Sequence, residues 1–139
     1  MKRRLGLALA AIATLTACGS SAPSAESVVR AWSQALNSDD NNRAADLFAL
    51  GAEVVQSGRV LKLRTHQDAV AWNSALPCSG RIVSIRSNGD TATATFRLGD
   101  RRNSRCDGPG NEATAIFKVV KGKIVLWHQT ASSGPSPQV

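Results

Sequence analysis

Tyrosine is absent from this chain, histidine occurs only twice, and no pair of cysteines is spaced as Cys-x-x-Cys. Each absence excludes a class of chemistry. Without tyrosine there is no phenol to stabilise a developing oxyanion. With His66 and His128 as the whole imidazole supply, and no clustered cysteines, neither a metal site nor a thioredoxin-like redox motif is expected, and no cofactor. Nor does any apolar run reach the roughly 20 residues that a membrane-spanning helix needs.

What is present begins at the N-terminus. Met1-Lys2-Arg3-Arg4 is basic, and Leu5 to Leu15 is apolar and uncharged. That is the pattern of a secretory signal. It ends on Leu15-Thr16-Ala17-Cys18. This tetrapeptide resembles the lipobox of bacterial lipoproteins, in which the cysteine thiol takes a diacylglyceryl group and becomes the new N-terminus. The resemblance implies that residues 1–17 are removed and that Cys18 is lipidated. The protein would then be extracytoplasmic and lipid-anchored to the bacterial cell membrane. In a two-membrane host, Gly19 in place of Asp would not favour inner-membrane retention. Two acyl chains, at about 0.8 kcal/mol per buried methylene, hold a protein stably where one holds it marginally. Gly19-Ser20-Ser21-Ala22-Pro23-Ser24 then reads as a flexible tether, so that residues 18–24 link anchor to domain.

Removing the signal takes away Lys2, Arg3 and Arg4 and no acid, so the formal charge falls from +7 to +4. About 115 residues remain to fold, enough for one core. Residues 131–139, rich in Ser and Pro, read as a disordered tail. The three cysteines also fall into place. With Cys18 given to lipid, Cys78 and Cys106 remain as an even pair in an oxidising compartment, and a Cys78–Cys106 disulfide is expected.

The pattern along the chain predicts three helices and six strands. Ser24 can cap a helix from Ala25 whose Val28, Trp32, Ala35 and Leu36 share one face. A second, short helix carries Ala44, Ala45, Leu47 and Phe48 and stops near Gly51. Glu53–Gln56 and Arg59–Arg64 read as paired strands. Thr65-His66-Gln67-Asp68 resembles a capping box that opens a third helix, ended before Pro77. Strands follow at 81–86, 91–98, 113–120 and 123–129, with Asn88-Gly89-Asp90 a strong hairpin turn. The order α-α-β-β-α-β-β-β-β implies an α+β fold, with the three helices on one face of a mixed, mostly antiparallel sheet of about six strands.

Val28–Trp32, Asp40–Ala49, Gly51–Val55 and the final Gly122–Gln129, taken in that order, resemble the nuclear transport factor 2-like superfamily. The likeness covers residues 25–130. It implies a curved, cystatin-like sheet wrapped round a long helix, leaving a cone-shaped pocket, and often a dimer. The superfamily includes isomerases, cyclases and dehydratases as well as non-enzymatic binding or accessory domains, so fold does not decide function.

The isomerase pattern in this superfamily pairs a carboxylate base with a tyrosine, which this chain lacks. His66 and Asp68 stand two apart on a helix and diverge, so Asp68 reads as a cap. His128, placed by alternation on the face of Ile124 and Leu126 and opposite Trp127, is the one catalytic candidate, and it would need an acid such as Asp40 or Asp46 beside it. Trp32, Phe48, Trp72, Trp127 and His128 are the pocket candidates. Arg97, Arg101, Arg102 and Arg105 cluster around one loop. Export and the lack of interleaved aromatics exclude nucleic acid, leaving anionic headgroups or plain solvation. Three functions follow: a non-enzymatic lipoprotein binding a small apolar ligand or an envelope protein, a dehydratase-, isomerase- or cyclase-like enzyme using His128, and an accessory domain without ligand.

Overall fold

The computed structural model describes residue 19 and residues 21–133. The signal segment, Cys18 and the tail beyond Ser133 lie outside the described residues. Helix α1 spans Ala25–Asn37, and Ser24 caps it by accepting a hydrogen bond from the Ser27 amide at 3.1 Å. This satisfies an amide that the helix itself leaves without a partner. Helix α2 is one short run, Asn41–Asp46, capped by Asp40. Helix α3 spans His66–Ala75 and starts on a complete capping box between Thr65 and Asp68. None of the described helices is long and apolar enough to cross a membrane.

The strands are β1 (Phe48–Gln56), β2 (Arg59–Leu63), β3 (Cys78–Asn88), β4 (Thr91–Asp100), β5 (Glu112–Val120) and β6 (Lys123–Ser133). They form one sheet in the order β2-β1-β6-β5-β4-β3. Only β1 and β6 run parallel; the other neighbours are antiparallel. This is the α+β architecture expected, with shifted edges. Leu47 and Phe48 do not continue α2. Phe48 opens β1 opposite Ile124, and Gly51 takes φ +79° where the β1–β6 register shifts. Only a residue without Cβ adopts that backbone at no steric cost. At the other end, β6 continues to Ser133 against Glu112, three residues into the segment expected to be disordered.

The helices cover one face of the sheet, and that face holds the core. Trp32 of α1 sits at its centre, with ring centroids 5.3 Å from Phe117 and 5.9 Å from Phe96 in edge-to-face contact. Its indole N–H donates to Asn73 Oδ1 at 2.9 Å, and Asn73 in turn donates to the Ala69 carbonyl at 2.8 Å. A buried polar pair of this kind stays favourable only because every member has a partner. Ala92, Ala94, Ala115, Phe117, Val119 and Ile124 line the same face, each almost fully buried.

The two poles of the sheet differ. The β5–β6 turn at Lys121-Gly122, the β3–β4 turn at Gly89 and the start of α1 share one pole. There Pro23 packs against Gly122, so closely that a Cβ on that glycine would stand 3.0 Å from Pro23 Cδ. The first residues of β3 and β5, the end of β4 and the β1–β2 turn share the other.

Candidate functional site

That second pole opens into a cavity of about 430 Å³. Its inner wall is apolar: Trp32 and Leu36 from α1, Leu76 beyond α3, Phe96 and Leu98 from β4, and Trp127 from β6. Its rim is polar, with Gln56, Gln129, Asn111, Ser79 and Asp107. Gln56 Nε2 donates to Gln129 Oε1 at 2.8 Å across the β1–β6 seam. A concave apolar floor with a few polar groups at its edge is the usual form of a small-molecule site.

Two covalent and ionic clamps shape the mouth. Cys78 and Cys106 form the expected disulfide, with Cα atoms 4.4 Å apart, and it ties the loop after β4 to the start of β3. Next to it, Arg101 is buried rather than displayed to a surface. Its guanidinium donates to Asp39 Oδ1 at 2.7 Å, Asn41 Oδ1 at 2.7 Å, the Asn73 carbonyl at 2.7 Å and the Leu76 carbonyl at 2.8 Å. Asp39 also accepts from the Asn103 amide at 3.0 Å. The arginine cluster therefore dissolves into separate roles. Arg101 is a structural clamp, Arg97 pairs with Glu112 at 3.0 Å, and Arg102 and Arg105 are solvated.

The pocket candidates divide as well. Trp32 and Trp127 line the cavity. Trp72 sits behind it, 4.9 Å from Trp127 and 5.5 Å from Phe48 between ring centroids. Phe48 instead borders a separate hollow of about 310 Å³ with Leu50, His66 and Lys123. In the cavity wall, the buried Trp127 indole N–H has no hydrogen-bond partner among the described residues.

His128 lies on the opposite face of the sheet. It pairs in register with Ile116 and Trp127 with Phe117, so Trp127 turns to the helices and His128 away from them. Simple alternation would also put Ile124 on the His128 side. The register instead jumps between Lys118–Leu126 and Val119–Ile124, which makes Val125 a bulged residue and returns Ile124 to the core. Nor do Asp40 and Asp46 orient His128. Asp40 caps α2, and Asp46 Oδ1 lies 2.8 Å from His66 Nε2 in an exposed pair. Lys123 Nζ donates to the Asp46 carbonyl. Asp68 is the cap it was expected to be, accepting from the Arg64 and Thr65 amides at 2.9 and 3.0 Å.

Asp107 was not anticipated. It lines the cavity because Cys106, its neighbour, is fixed to Cys78, and because the turn through Gly108 and Asn111 folds back onto Leu98. The chemical signal was its place beside a predicted disulfide. The fact that this disulfide borders the cone was not in the local pattern. Cys78, Cys106 and Asp107 crowd within 4.8 Å, but sulfurs joined to each other do not offer thiolates to a metal.

No protein-family model matches this chain, and no curated protein matches it. Solved structures do. A nuclear transport factor 2-like protein of unknown function from Cytophaga hutchinsonii superposes with TM-score 0.64 at 11% identity, over 77% of this chain and 88% of that one. A candidate ketosteroid isomerase from Kribbella flavida gives TM-score 0.61 at 17% identity, over 82% and 83%. A protein with a ketosteroid isomerase-like fold from Catenulispora acidiphila, solved in complex with trimethylamine, gives TM-score 0.61 at 17% identity, over 75% and 84%. At such identities the likeness is one of fold alone. The three helices on a six-stranded sheet are the nuclear transport factor 2-like, cystatin-type arrangement.

Proposed function

We propose that this protein is a membrane-anchored envelope lipoprotein that binds a small, largely apolar ligand in its cone without transforming it. The observation that carries the binding half is the cavity of about 430 Å³, with its aromatic floor and amide-lined rim. Its chemistry supports binding over catalysis. Among the described residues no histidine, lysine, arginine or tyrosine lines it, and His128, the one catalytic candidate, faces away from it. The Catenulispora protein supports the reading in a general way, as a protein of this fold solved with a small molecule bound. The anchor half rests on Leu15-Thr16-Ala17-Cys18 behind a basic, then apolar, N-terminus. The Cys78–Cys106 bond fits an oxidising compartment.

Native mass spectrometry of the protein extracted from its own membrane tests both halves. The expected spectrum carries a diacylglyceryl-type mass on Cys18 and a small-molecule adduct, and Ala113→Trp, which narrows the mouth, loses the adduct. Wild-type protein that carries no adduct and does not respond to alkyl ligands overturns the binding half. A Cys18→Ser protein that remains lipidated and membrane-bound overturns the anchor.

A further inference from the structure

Among the described residues lining the cavity, Asp107 alone carries a formal charge. Its carboxylate is not neutralised by the protein. The nearest polar contact is the Cys78 sulfur at 3.3 Å, and a disulfide sulfur has no proton to donate. Among the described residues no N–H or O–H donates to it, and no basic side chain lies within ion-pair distance. The arginines nearest in sequence do not supply one. Arg101 is engaged with Asp39, and Arg102 and Arg105 are exposed and do not line the cavity. The rest of the rim is uncharged amide and hydroxyl. A ligand entering this mouth therefore meets one unpaired negative charge, and behind it the walls formed by Trp32, Phe96 and Trp127.

We propose that the cavity selects an amphiphilic cation. An alkyl or aryl body rests on Trp32, Phe96 and Trp127, and an ammonium head sits at the mouth beside Asp107. This rests on the reading of the cone as a ligand site and adds the charge class of what enters it. A carboxylate-bearing amphiphile of the same length is disfavoured, because it would set two like charges together at the rim. The disulfide and the Gly108–Asn111 turn hold the carboxylate in place, so the preference is built into the folded loop. Asp107 is exposed, which keeps the effect moderate and makes it fall with salt.

Tryptophan-fluorescence titrations of the full exported protein at low ionic strength test this, with octyltrimethylammonium, 1-octanol and octanoate as three probes of equal chain length. The expected order is the ammonium about tenfold tighter than the alcohol, which corresponds to about 1.4 kcal/mol, with octanoate weakest. Asp107→Asn removes the preference of the ammonium over the alcohol, and Asp107→Glu retains it. Equal affinities for ammonium and alcohol, or a preference that survives Asp107→Asn, overturn the charge assignment while the cavity still binds. Failure of all three probes overturns the cavity reading as well.

Discussion

Removing the Arg101 guanidinium tests the reading of the mouth as a clamped structure. Its side chain is 2% exposed and that of Asp39 11%. The four hydrogen bonds described above all depend on one planar group. Arg101→Ala would leave the Asp39 carboxylate with only the Asn103 amide, the buried Asn73 carbonyl with only the Leu76 amide, and the half-buried Leu76 carbonyl without its guanidinium donor. Breaking one side of a buried ion pair costs about 3–5 kcal/mol, mostly as the uncompensated charge left behind. For a domain of this size that corresponds to a Tm fall of about 12–20 °C. Arg101→Lys should recover part of the loss, because an ammonium keeps the charge but cannot fork to four acceptors. Urea unfolding followed by tryptophan fluorescence gives the answer through the transition midpoint, with the slope unchanged if both states keep their compactness. A loss under about 1 kcal/mol for Arg101→Ala would refute the reasoning, since a solvated surface pair contributes that little.

Three further outcomes are expected. Cys78→Ala with Cys106→Ala should cost about 3.5 kcal/mol from loop closure across a separation of 28 residues, read by calorimetry, and should weaken binding of the ammonium probe more than that of 1-octanol. Gly80→Ala would place a methyl 3.0–3.2 Å from three atoms of the Phe96 side chain, costing about 1–3 kcal/mol by overpacking; an unchanged unfolding midpoint would show that the cavity wall yields freely. His128→Ala should shift stability by no more than about 1 kcal/mol and leave ligand titrations superimposable on wild type, whereas a loss of binding would return His128 to the site.

Local rules accounted for the parts of the fold that are local. The Ser24 cap, the Thr65–Asp68 capping box and the Asn88-Gly89-Asp90 hairpin each rest on groups within a few residues of one another, and each stands in the structure. The disulfide followed from counting thiols. Tertiary pairing decided the rest. Phe48 leaves the helix pattern because β6, more than seventy residues later, offers a parallel partner at Ile124. The bulge at Val125 inverts the face on which Ile124 lies, and no composition signal marks it. Four arginines near one loop look alike in sequence; that Arg101 alone points inward depends on carbonyls released at the C-terminal end of α3. The site was legible as far as Trp32 and Trp127. Asp107 was not, since its role depends on where the loop returns.

The position of Pro23 has a consequence for how a ligand could arrive. The chain enters the domain against Gly122, and the cavity opens at the far end of β5, a nine-residue strand that spans about 30 Å at roughly 3.3 Å per residue. Residues 18–22, ahead of the docked Pro23, reach at most about 18 Å when fully extended. With Cys18 anchored and the Pro23 pole turned to the membrane, the opening would stand well beyond the headgroup layer. Under the proposed anchor, molecules would then be captured from the aqueous phase, one monomer at a time, rather than by sliding out of the bilayer. The anchor would fix how far from the membrane the protein samples its surroundings.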